Sequence, residues 1–516
     1  MRIRGAAALT TAVVFGSLLM APQLVAEAMA PQAAPAASRM ASTPDLDVVT
    51  IPQLQERMTS GSLTSVSLTA AYLRRIRAVD PVIGAVLRTD PTALRQAAAS
   101  DLRHRTGAVR GPLDGIPVLL KDNVDTRDLP ATAGSLALAG RPPRDDAALV
   151  TRLWEAGAVV LGKTNLSEWA NFRAEKPTSG WSAVGGQTRN PYVLDRNPCG
   201  SSSGSAAAVA ASLAQVAIGT ETDGSIVCPA GMNGVVGHKP SLGLVSGDGV
   251  VPISSEQDTA GPMARNVVDA ALTLSVLRGD RAGEPPRPVP LRGTRIGLWR
   301  LPSLGPEVDA VTTRAAERFR AAGAEVVEVA LPHQDRLAEL EFPALLSEFH
   351  RDIDAYLATR DGPRDLAELV EFNRTHPQEQ TCFVGQELFE RALVAPATTD
   401  PGYLAMRAEL DELSARSIDE TMTAHRLDAI ASPANPSAWT TDCERGDNDV
   451  IPSSTPAAVA GYPSVSVPAG FVGELPVGLL LMAGDRQDQA LLSLAAAAER
   501  ELGAWRPPRY LPTVGG

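Results

Sequence analysis

The feature that most limits how this chain can fold is a series of short, unbroken apolar runs set between segments of helical periodicity. Residues 116–120, 159–162 and 216–219 carry no polar side chain. Such runs suit strands buried on both faces, as in a central sheet covered by helices. Around them, residues 51–58, 63–79, 92–105 and 147–156 repeat apolar positions at helical spacing, with Thr50 and Pro52 placed to start the first helix. Residues 83–88 predict a further strand. Residues 205–214 are nearly all Ala, Ser and Val, which predicts a helix that lets neighbouring backbones approach closely. Past residue 290 the alternation resumes: strand 295–298, helix 308–322, strand 325–329. A charged and mostly helical stretch follows over 335–425, then strands at 427–432, 464–468 and 478–482. The class expected is α/β, with helices flanking a central sheet.

At ~150 residues per domain, 516 residues would suggest about three domains. No long linker, repeat or low-complexity insert after residue 45 supports that division. The net charge is −12 and the basic residues are scattered, so nucleic-acid binding through counterion release is not expected.

Residues 1 to about 30 have the pattern of an export signal. Arg2 and Arg4 give the positive start and residues 6–20 the apolar stretch; Ala26-Glu27-Ala28 and Ala28-Met29-Ala30 offer cleavage sites. The apolar stretch is shorter than the ~20 residues of a spanning helix. Residues 31–44, rich in Ala, Pro and Ser, are expected to form a disordered lead-in. The expectation is a secreted or periplasmic protein with no membrane attachment after cleavage. Four cysteines, Cys199, Cys228, Cys382 and Cys443, lack metal-ligand spacing, and the six histidines are dispersed, so no metal is expected. Cys199 and Cys228 are expected as small buried residues. Cys382 and Cys443 are candidates for a disulfide, which an exported chain permits.

The chemistry is carried by one lysine and two serines. Lys121 ends the apolar run 116–120, Ser201 opens Ser201-Ser202-Ser203-Gly204-Ser205, and Ser225 lies in Glu221-Thr222-Asp223-Gly224-Ser225-Ile226. Lysine and serine perform acyl transfer without histidine when burial keeps the amine neutral and a hydroxyl relays its proton. A free lysine titrates near ~10.4, so the apolar approach to Lys121 has to lower that value substantially. Asp122 is the neighbour that would oppose this, unless strand alternation turns it away.

These segments, from 111 to 265, resemble the amidase signature family in three motifs standing in the right order. Gly162-Lys163-Thr164-Asn165, Thr188-Arg189-Asn190-Pro191, His238-Lys239-Pro240 and Asp258-Thr259-Ala260-Gly261-Pro262-Met263 match as well. Residues 166–173, Cys199-Gly200-Ser201 and residues 220–229 resemble the bacterial peptide amidases of that family, which remove the C-terminal amide of peptides. The likeness runs from about residue 45 to about 508.

The resemblance implies a single large amidase-signature domain over 45–510, with a central mixed sheet flanked by helices. Its signature core would span about 111–265 and a helical insert about 335–425. The resemblance also implies Ser225 as nucleophile, Ser201 as a bridging serine with a cis peptide bond, and Lys121 as base. Backbone N–H groups of Thr222, Asp223, Gly224 and Ser225 would form the oxyanion hole, with Ser202, Ser203 and Glu221 in support. No cofactor is implied. Two departures stand out: Asp223 replaces a common Gly or Ala, and Val227 replaces a common Arg that can meet a substrate carboxylate. The loss of that arginine favours a neutral or peptide-sized substrate. The expected substrate is an amidated peptide. Alternatives are a broad aliphatic or aromatic amidase, an amidotransferase A-type subunit, and a non-catalytic binding protein. Oligomeric state is not legible in the sequence.

Overall fold

The computed structural model describes residues 45–280, 282–448 and 453–515. The export signal and lead-in expected over 1–44 lie outside them. The chain builds one α/β domain around an 11-stranded mixed sheet. The strands of its first half are β1 (Val86–Thr89), β2 (Pro117–Lys121) and β3 (Val159–Thr164). A two-stranded hairpin, β4 (Trp181–Ser182) and β5 (Gly186–Gln187), stands apart from the sheet. Next come β6 (Val216–Glu221), β7 (Val236–Lys239) and β8 (Thr259–Ala264). The second half adds β9 (Arg295–Trp299), β10 (Glu325–Val329), β11 (Ala429–Pro433), β12 (Ser464–Val472) and β13 (Leu475–Met482). Their spatial order is β1-β3-β2-β6-β8-β7-β12-β13-β11-β9-β10.

The apolar runs sit where their composition demands. Every residue of β2, β3 and β6 is buried, and β2 runs parallel to both β3 and β6. Strands β7 and β8 lie mid-sheet and are fully buried too; in the sequence their segments stand out as motif phrases rather than as apolar runs.

The small-residue helix spans Ser203–Ala210 and is entirely buried. A Cβ on Gly204 would stand 2.4 Å from the carbonyl of Asn165, so glycine is what lets this helix touch the loop after β3. The helix is shorter than expected, with Ser212 already in a left-handed turn (φ 54°). The helix expected over 63–79 instead runs Ser65–Ile83, through Pro81, and stops at left-handed Gly84. The carboxylate of Asp80 takes the N–H groups of Ala85 and Val86, at 2.8 and 3.1 Å, and so fixes the exit into β1.

The segment 335–425 is helical, as its periodicity suggests. It holds helices Gln334–Leu357, Leu366–Thr375, Glu387–Leu393 and Pro401–His425. Phe349, Leu366, Leu369 and Phe389 give the first three of these helices an apolar core that also takes in Trp169 and Phe172 from the signature half. Cys382 and Cys443 form a disulfide, with Cα atoms 4.7 Å apart.

Candidate active site

Strand β2 ends on Lys121, whose side chain is completely buried. Its Nζ lies 2.7 Å from Ser201 Oγ, 2.8 Å from Thr220 Oγ1 and 3.2 Å from the Thr220 carbonyl. Nζ donates to all three oxygens; in its neutral form it would keep two of these bonds on Thr220 and turn its lone pair to the Ser201 hydroxyl. Burial pulls the Lys121 pKa down to about 7, against the carboxylates of Asp258 and Glu221, which favour the charged form. Asp122 is turned away. It accepts hydrogen bonds from the hydroxyl and N–H of Thr132 and stands 3.9 Å from Lys163 Nζ.

The peptide bond between Gly200 and Ser201 is cis. Ser202 ties this loop to the end of β6: its hydroxyl donates to the Thr220 carbonyl at 3.0 Å, and its N–H donates to the Ser225 carbonyl at 3.1 Å. The Ser203 hydroxyl donates to the Cys199 carbonyl at 2.6 Å, closing the loop on itself. The three adjacent serines thus divide the work: Ser201 faces the lysine, while Ser202 and Ser203 hold the backbone.

Beyond β6 the chain turns through Thr222, Asp223, Gly224 and Ser225. Gly224 has φ 76°, a left-handed conformation that glycine adopts without steric cost. Glu221 closes the turn by accepting the N–H groups of Ile226 and Val227 at 2.6 and 2.9 Å. Thr222 donates its hydroxyl to Asp258 at 2.5 Å. Among the described residues nothing accepts a hydrogen bond from the N–H groups of Asp223, Gly224 or Ser225, so these donors remain for an anionic oxygen. Asp223 accepts from the Thr455 hydroxyl at 2.6 Å and faces Glu341. Burial raises the pKa of both carboxyls, and the charge of Asp223 raises that of Glu341 further.

Ser225, nearly buried, sits at the floor of a cavity of about 380 Å³. Phe172, Ile253, Phe342, Leu345 and Leu388 wall it, three of them from the helical insert. At the rim Arg391 pairs with Glu175 at 2.9 Å and lies over the Phe342 ring.

Two expectations need correction. Cys199 and Cys228 are buried, but they are joined in a disulfide, with Cα atoms 6.1 Å apart. Contact between the Ser201 and Ser225 segments brings them together, since Cys199 precedes one serine by two residues and Cys228 follows the other by three. Val227 belongs to an apolar cluster with Trp299, Ile418, Leu427 and Leu480. It does not line the Ser225 cavity, so the side chain at this position does not choose the substrate directly.

Thr220, Asn123, Asp258 and Glu341 are site residues that sequence reasoning missed. The first three stand inside matched phrases and could have been found there. Glu341 lies in the insert, where nothing in the sequence singles it out.

The amidase family model matches residues 67–492. The chain belongs to the amidase family. This amidase is 37% identical over 501 residues to a probable amidase of Arabidopsis thaliana, covering 92% of this chain and 94% of that one. It is 35% identical to a glutamyl-tRNA(Gln) amidotransferase subunit of Salinispora arenicola, over 90% and 99% of the two chains. Among solved structures, the native peptide amidase of Stenotrophomonas maltophilia superposes with a TM-score of 0.84 at 49% identity, covering 89% of this chain and 98% of the other. A peptide amidase bound to the competitive inhibitor chymostatin gives 0.85 at 50%, over 89% and 99%. The amidase is accordingly an amide-hydrolysing enzyme.

Proposed function

We propose that this amidase hydrolyses the C-terminal amide of peptides through a relay of Ser225, Ser201 and Lys121. The observation that carries the mechanism is the 2.7 Å contact between a buried, near-neutral Lys121 and Ser201, beside the turn of Ser225. Lys121 takes the Ser201 proton as Ser201 takes that of Ser225. Ser225 Oγ attacks the carboxamide carbon. The free N–H groups of the 222–225 turn receive the oxyanion, a contribution of about 10²–10³ in rate per donor in comparable sites. The relayed proton passes to the departing nitrogen and ammonia leaves. Water then repeats the sequence on the acyl-enzyme and frees the acid.

The substrate class is supported by the apolar cavity of about 380 Å³, within the range that binds ligands larger than acetamide, and by the likeness to two peptide amidase structures. Export is supported by Arg2, Arg4 and the 6–20 stretch, and by two disulfides, which persist in oxidising compartments.

The test is ammonia release from amidated dipeptides, acetamide, benzamide, malonamate and glutamine. We expect kcat/KM about 10²-fold higher for the dipeptide amides, because remote contacts contribute to the transition state. Parity between acetamide and the dipeptide amides would establish a broad-specificity amidase instead. N-terminal sequencing of material from outside the cytoplasm should give a start between about residues 27 and 45; an intact Met1 on a cytoplasmic enzyme refutes export.

A further inference from the structure

The cavity over Ser225 has a neighbour. A second cavity of about 340 Å³ meets it at Ala170, Thr222 and Ile253. Asn123 and Thr220 form its inner wall, and Ser246, Gly247 and Asp248 form an exposed mouth. Asn123 donates to Thr220 Oγ1 at 2.9 Å, and that oxygen lies 2.8 Å from Lys121 Nζ. The second cavity therefore adjoins the lysine end of the relay, while the first adjoins the nucleophile.

When an amide is split, the acyl carbon stays on Ser225 and the nitrogen departs. The nitrogen has to collect a proton held by Ser201 and Lys121, so it leaves toward the lysine side. Ammonia needs no more room than water, roughly 30 Å³, about a tenth of the space present. Asp248 and Asp258 line this space, and among the described residues no Lys or Arg does.

Building on the peptide-amide reading, we propose that the second cavity is a leaving-group chamber. It admits C-terminal amides whose nitrogen carries a neutral or cationic substituent, such as a benzyl group. It turns away the last peptide bond of an ordinary peptide, because the departing amino acid brings a carboxylate past Asp248 into a space whose described lining holds no Lys or Arg to pair with it. The Ser225 Oγ–carbon bond forms, the carbon–nitrogen bond breaks, and the nitrogen gains the proton that Ser225 gave to the relay. Water then cleaves the ester, giving one acid and one amine for each water consumed.

The experiment uses one acyl group, acetyl-phenylalanyl-leucine, as its primary amide, as its benzylamide, and extended by a C-terminal glycine acid. We expect kcat/KM for the benzylamide within about ten-fold of the primary amide, and for the glycine acid about 100-fold or more below it. Ser246→Trp and Val250→Phe narrow the chamber without touching the relay. They should lower benzylamide turnover about ten-fold and leave the primary amide within about two-fold. A primary amide cleaved with no benzylamine released, or equal slowing of both substrates by both variants, overturns the chamber. If the primary amide is not cleaved at all, the peptide-amide reading has failed and the chamber falls with it.

Discussion

Cys199 and Cys228 join covalently the two backbone turns that present Ser201 and Ser225. Ser202 supports the same junction by donating its N–H to the Ser225 carbonyl at 3.1 Å. The proposed relay thus spans segments fixed to each other by a covalent bond and a hydrogen bond, at a depth where Cys199 and Cys228 are buried.

Replacing both cysteines, Cys199→Ser with Cys228→Ser, should cost about 2–5 kcal/mol of stability, since the bond closes a 29-residue separation. Denaturant unfolding measures it. Turnover at a temperature where the variant stays folded should also drop; unchanged kcat would mean that hydrogen bonds alone hold the serines in place.

Ser225→Ala should abolish turnover. Lys121→Ala and Ser201→Ala should each lower kcat by about 10³-fold or more, because relay members act as a unit. Circular dichroism must show the variants folded. A folded Lys121→Ala enzyme with near-normal kcat excludes lysine as the base.

Activity should depend on pH through Lys121. Its amine has to be neutral, so activity is present above a pKa of about 7 and declines about ten-fold per unit below it. Asp258, which burial also lifts to about 7, and His238 are the controls. Profiles of Asp258→Asn and His238→Ala should retain the acidic limb; its loss in either variant reassigns the titrating group.

Asp223 and Glu341 face each other beside the 222–225 turn, and burial raises the pKa of both carboxyls. Glu341→Gln keeps the shape and supplies a permanent donor, so kcat/KM at neutral pH should stay within about three-fold of the parent. Glu341→Lys sets a cation on the pair and should depress kcat about ten-fold or more. Equal effects from the two variants would show that the pair does not support the turn.

Val227→Arg should destabilise the fold by about 3–5 kcal/mol, because it forces an unpaired guanidinium into the cluster of Trp299, Leu427 and Leu480. Thermal unfolding reads this directly. A stable variant with improved malonamate turnover would restore the substrate role expected for this position from its sequence.

Much of the fold was legible because burial on both faces leaves an unmistakable trace: β2, β3 and β6 each begin with an unbroken apolar run and turn polar only at their ends. Strands β7 and β8 are equally buried, but Gly237, His238, Lys239 and Pro262 interrupt any apolar pattern. Their polar groups find partners only once distant elements are assembled, as when His238 meets Asp488 at 3.2 Å. The same holds for the site. Lys121, Ser201 and Ser225 stand in motifs, whereas the pairing of Cys199 with Cys228 and of Asp223 with Glu341 depends on how loops meet in space. Strand alternation offered a way for Asp122 to face away from Lys121, and its bonds to Thr132 hold it there.

Strand β6 ends on two consecutive residues with opposite duties. Thr220 accepts the lysine's hydrogen bonds, and Glu221 receives the N–H groups beyond the Ser225 turn. Side chains alternate along a strand, so a slip of one residue would exchange them. The lysine would then meet a carboxylate in place of a hydroxyl, and Glu221 already ranks second among the groups that favour its protonated form. On the proposed mechanism the base is kept free by counting: an insertion or deletion in β6, distant in kind from any active-site substitution, would disarm the enzyme by giving its lysine a counter-ion.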